Sequence, residues 1–141
     1  MRHNHWAILL AVLFQQAFGF FWYSPIGFFA QWRDALGAEH LPQAPGVEFF
    51  AVSVISSAMF CYLLSWLYQV LVIDDWLRGL VVGSLIGLGF LLPTLGTHYL
   101  FMGHGADLVW IDGIKEVLSA SVTGVILAVW RADYSSETAA N

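Results

Sequence analysis

Four long apolar runs, separated by short polar breaks, dominate the chain. They extend roughly from Trp6 to Tyr23, Val47 to Ile73, Gly79 to Met102 and Leu108 to Trp130. Each is close to or above the ~20 residues that a helix needs to cross a hydrocarbon core of about 30 Å. Helix is the conformation to expect, because an open sheet leaves backbone groups unpaired in lipid and four strands are too few to close a barrel. The first run has one Arg before it, no small-x-small cleavage site and a bulky "FGFFWYSP" end. It therefore reads as a retained span, not as a cleaved signal peptide.

Between the first two runs the period changes. In "SPIGFFAQWRDALG", Ser24 suits an N-cap, Pro25 the first helical position and Gly37 a stop, which predicts a short helix over 25–36. Phe28, Phe29, Trp32 and Leu36 share one face of it, so it is expected to lie in the membrane interface. The stretch "AEHLPQAPGVE" follows as an extended or flexible connector.

An even number of spans puts both termini on one side. Arg2, Arg78 and Arg131 fall on that side and only Arg33 on the other, so the positive-inside rule places both termini in the cytoplasm. Trp6, Trp76 and Trp130 sit at the inner ends of the runs, and Trp22 and Trp110 at the outer ends, as an interfacial aromatic belt requires.

Small residues mark where helices can approach in lipid. The third run carries Gly79, Gly83 and Gly87, the fourth Ala120, Gly124 and Ala128, and the second Ser53, Ser57, Cys61 and Ser65, each at four-residue spacing. The plain expectation is a compact helical bundle. The sharper one is that a stripe serves a homo-oligomer, or that the Ser/Cys stripe lines a narrow polar path. Gln15 and Gln16 in the first run must hydrogen-bond inside the bundle, most simply to Ser or Thr on a neighbouring helix.

Composition agrees with a single membrane domain spanning 1–141. Of 141 residues, 59% are hydrophobic and 11% charged, against about 25% charged in soluble domains, and the mean hydropathy is +0.71. The net charge of −5 is spread over segment ends. This leaves no surface for nucleic acid and no polybasic patch, so the expected partners are the bilayer, further copies of the chain or another membrane protein. Cys61 is the lone cysteine, which excludes an intrachain disulfide and a Cys-based metal motif.

Charge changes the picture only in the last run, "LVWIDGIKEVLSASVTGVILAVW". Asp112, Lys115 and Glu116 recur at i, i+3 and i+4 on one helix face, roughly 6–12 Å below the outer end. Lys115 is expected to pair with Asp112. The hairpin "THYLFMGHGADLVWID" brings His98 level with Asp112, and Tyr23 and Glu48 reach the same depth from the first two spans. Charges on a lipid face cost about 2.5–3.5 kcal/mol each at a helix centre and less toward the interface, so these are expected to face inward. No cofactor is called for. A divalent metal on His98, Asp112 and Glu116 is the one that the residue types would allow, although no HExxH-type signature is present.

The stretch "NHWAILLAVLFQQAFGFFWYSPIGFFAQW" resembles the opening of a bacterial membrane family catalogued as domain of unknown function 1761. The likeness rests on Asn4 and Trp6, the Trp22-Tyr23-Ser24-Pro25 element and Trp32, and continues in the last run at Asp112, Gly113, Trp130 and Arg131. Where the family often has Tyr-His after the Asp-Gly, this chain has Ile114 and Lys115, so no histidine role carries over. The resemblance implies an all-α, four-span protein of a bacterial inner membrane and supplies no activity. The residues themselves favour permeation of a small solute or ion, or binding of a small ligand, through an outer polar cluster. The alternatives are a membrane-embedded enzyme with Asp112 or Glu116 as general base, and an accessory subunit docked through the cluster. No catalytic motif supports the enzyme.

Overall fold

A computed structural model of the chain describes residues 3–37 and 46–130. Arg2, Arg131 and most of the connector after Gly37 lie outside the described residues. The elements are α1 (His5–Trp22), α2 (Phe29–Leu36), α3 (Val47–Val70), α4 (Trp76–Ile86), a π turn (Gly87–Leu91), α5 (Leu92–Phe101) and α6 (Ala106–Val129). The described residues contain no strand.

Three stretches, His5–Trp22, Val47–Val70 and Trp76–Phe101, are long and apolar enough to cross a membrane. The expected fourth is not among them. At 24 residues α6 has the length, but Asp107, Asp112, Lys115 and Glu116 make it too charged to qualify on composition.

The ends of the helices follow local chemistry. The Asn4 side chain accepts from the amides of Trp6 and Ala7 to start α1, and its own amide donates to the Trp130 carbonyl at 3.0 Å, tying that start to the end of α6. Asp75 caps α4 by accepting from the Arg78 amide at 2.9 Å. The short helix α2 begins later than predicted, at Phe29. Ser24 does not cap it, because its hydroxyl donates back to the Phe21 carbonyl at 2.7 Å and residues 23–28 form turns. Gly37 ends it as expected, at φ 87°.

Trp22 also departs from the expected belt. It is 7% exposed, packed on Phe28 with ring centroids 4.4 Å apart, whereas Trp6, Trp76, Trp110 and Trp130 do stand exposed.

Helix α6 is the hub: it packs against every other helix. Its tightest neighbour is α4, and the two small-residue stripes meet there. A Cβ on Gly79 would lie 2.6 Å from the Ala128 Cβ and 2.7 Å from the Gly124 carbonyl oxygen, and one on Gly87 would lie 2.7 Å from the Val117 Cα. Gly83 rests on Ala120 in the same way. Only glycine permits so close an approach. These stripes are therefore spent inside the chain.

The Ser/Cys stripe of α3 turns toward α1. Ser53 donates to the side-chain Oε1 of Gln16 at 3.0 Å and the same amide donates through Nε2 to Ser57 at 2.9 Å. Gln15 donates to Thr123 at 3.1 Å and to the Cys61 sulfur at 3.4 Å, and Ser65 meets His3 Nδ1 at 3.0 Å. The expected Gln–Ser and Gln–Thr bonds are present. The apolar core lies around the lower part of this seam, in Ala7, Ile8, Ala11, Val12, Leu64, Tyr68, Leu127 and Ala128.

Candidate functional site at the N-terminal end of α6

Helix α6 carries Asp112 to a point where three elements converge. The Asp112 side chain is 5% exposed, and each of its oxygens accepts a phenol proton. Tyr23, at the end of α1, donates to Oδ1 at 2.6 Å. Tyr99, on α5, donates to Oδ2 at 2.6 Å. Bonds this short suit an ionised acceptor and are stronger than neutral ones.

Lys115 does not pair with Asp112 as the i, i+3 spacing suggested. Its ammonium lies 2.7 Å from Glu116 Oε1. Asp112 is buried and bonded by the two tyrosines, and the more exposed carboxylate of its sequence neighbour takes Lys115 instead. The Lys115 and Glu116 side chains keep 17% and 34% exposure.

His98 is likewise not in the site. It is exposed, and Tyr99 occupies the position expected of it. The π turn explains the exchange. His98 follows Gly87 by about three α-helical turns, so an unbroken helix would put both on the face toward α6. Between them the Leu92 amide bonds to the Gly87 carbonyl, a wider loop that acts as a one-residue insertion and advances the inward face from His98 to Tyr99. Pro93, which lacks an amide proton for the α-helical ladder, lies two residues past the last residue of the turn.

Glu48 also lies elsewhere, exposed in the first turn of α3. Its carboxylate rests against Gly46 at the helix N-terminus, where negative charge is favoured. Among the described residues no three His, Cys, Asp or Glu side chains are grouped so as to hold a metal ion.

Sequence reasoning overlooked Tyr99 and the part played by Trp32. Trp32, on α2, sets its ring edge-to-face with that of Tyr23, centroids 5.5 Å apart at 66°. Helix α2 thereby packs beside the Tyr23–Asp112–Tyr99 bridge, and it touches α6 directly. The glycines and proline of "GLGFLLP" were the available signal for Tyr99.

A family model for a protein of unknown function, DUF1761, matches residues 6–128. The chain belongs to the DUF1761 family. The match covers every element that builds the site, from Tyr23 and Trp32 to Tyr99 and Asp112. No curated protein and no solved structure matches this DUF1761 chain.

Proposed function

We propose that this DUF1761 protein binds a small ligand at the outer end of α6, in a site that reaches from the outer surface past Asp112 as far as Glu116 and stops there. In this reading α6 is the fourth span, and both termini face the cytoplasm of a bacterial inner membrane. The observation that carries it is a contrast of accessibility along one line. Lys115 and Glu116 remain partly exposed, whereas Cys61 and Thr123, deeper along the bundle, are 0% exposed and already bonded to Gln15. Polar groups that satisfy one another offer a passing solute nothing, which favours binding over a through-pathway. For the enzyme alternative, Asp112 is the poorer candidate base, because it is buried and each oxygen already accepts a phenol proton, while Glu116 keeps partial exposure but has no catalytic motif around it.

Cysteine accessibility in oriented vesicles tests this. Single substitutions Glu116→Cys and Ser57→Cys, each in a Cys61→Ser background, are exposed to a membrane-impermeant thiol reagent from the outer side. Labelling of Glu116→Cys without labelling of Ser57→Cys is the expected result. Labelling of both replaces the binding site with a pathway. Labelling of neither makes the charges a buried structural pair and ends the reading.

A further inference from the structure

Two carboxylates and one ammonium meet at this site, and the ammonium belongs to one of them. Lys115 is committed to Glu116 at 2.7 Å, and among the described residues no cation pairs with Asp112. The tyrosines solvate the Asp112 charge without cancelling it. A buried carboxylate is ordinarily paired, because leaving its charge uncompensated in a poorly polarisable setting is costly. Among the described residues the site thus holds one more carboxylate than ammonium, and one positive charge would complete it.

The surroundings select the kind of cation. A dehydrated metal ion asks for several ligands, and among the described residues no three His, Cys, Asp or Glu side chains are grouped to supply them. What the site offers is aromatic surface. Tyr23 and Tyr99 approach the same carboxylate from α1 and α5, and Trp32 stands against Tyr23 from α2. Aromatic rings around a single negative charge are the setting in which alkylammonium ions bind, through the attraction of a cation to the ring faces.

We infer that the outer site takes a small organic ammonium ion, balanced by the Asp112 carboxylate and held against the rings of Tyr23, Trp32 and Tyr99. This rests on the reading that the outer site binds a ligand, and it names the ligand's chemical class.

Choline, its neutral isostere 3,3-dimethylbutan-1-ol and sodium chloride are the probes, each titrated by calorimetry into the full chain in lipid nanodiscs. Choline binds, and the isostere and sodium do not. Trp32→Leu, which alters a half-exposed position on α2, weakens choline binding roughly three- to thirtyfold, and Asp112→Asn abolishes it. Because Asp112→Asn can also disturb folding, Trp32→Leu carries the test independently. Equal binding of choline and the isostere overturns the role of charge, and equal displacement of choline by sodium overturns the role of the rings. No choline binding, with Glu116→Cys still labelled from outside, overturns the ammonium assignment and leaves the ligand site standing. No choline binding and no labelling removes both.

Discussion

The two halves of α6 do opposite things with the same geometry. Its C-terminal half presents Ala120, Gly124 and Ala128 to the glycines of α4, with backbones nearly touching. Its N-terminal half presents Asp112, with two tyrosines reaching to it across the gap. In the lower half, affinity between helices comes from the absence of side chains, which lets van der Waals contact and backbone dipoles come close. In the upper half it comes from side chains long enough to span the gap and polar enough to need one another. Contact by close approach leaves nothing over for a ligand. Contact through a charged centre leaves a charge over, and there the candidate site lies.

The largest effect is expected from breaking the lower half. A Cβ on Gly83 would fall on the Ala120 carbonyl, which is backbone and cannot step aside. Gly83→Val is expected to cost on the order of 3 kcal/mol, read as a fall in unfolding temperature in detergent. An unchanged temperature would mean that α4 and α6 do not pack as described.

The upper half gives a middling effect and a sharper discrimination. Tyr99→Phe removes one of two donors to a buried carboxylate and is expected to cost about 1–2 kcal/mol. His98→Ala, one residue away and exposed, is expected to stay within about 0.5 kcal/mol. The reverse order would place the inward face of α5 at His98 and remove the register shift at the π turn.

A smaller effect than that of Tyr99→Phe belongs to the boundary between the halves. Ser84 and Ser121 share a hydrogen bond at 2.7 Å, and Ser121 also donates to the Val117 carbonyl at 2.6 Å. Ser84→Ala is expected to cost about 0.6 kcal/mol, near the average for such bonds between membrane helices. A cost as large as that of Tyr99→Phe would mean that the polar site extends further down α6 than Glu116.

The lower half was legible in the sequence and the upper half only partly so. Gly79, Gly83 and Gly87 at four-residue spacing announce a close face, and the matching stripe of Ala120, Gly124 and Ala128 announces its partner, because backbone approach depends on size and period alone. Gln15 and Gln16 were legible for a related reason: an amide in a span must find a partner, and α3 carries serines at the right interval. The site was harder. Asp112 and Lys115 lie at pairing distance along the helix, but which charge pairs with which depends on two hydroxyls from other elements. A helical wheel also carries its phase forward without error only while every turn is α, and one wider turn before Pro93 exchanges His98 for Tyr99. Ser24 misled for a smaller reason: a hydroxyl at the end of one helix can bond backward as readily as it can cap the next.

The glycine seam also bears on biosynthesis. In the four-span reading, α6 must leave the translocation channel carrying Asp112, Lys115 and Glu116, and charged residues weigh heavily against release into lipid. The third span, Trp76–Phe101, is apolar and, through Gly79 and Gly83, already shaped to receive it. The two can therefore partition together as a helical hairpin, with the charges of α6 turned toward protein from the outset. On that reading the last span would rely for its insertion on the one synthesised just before it, through the same glycines that pack against it in the folded chain.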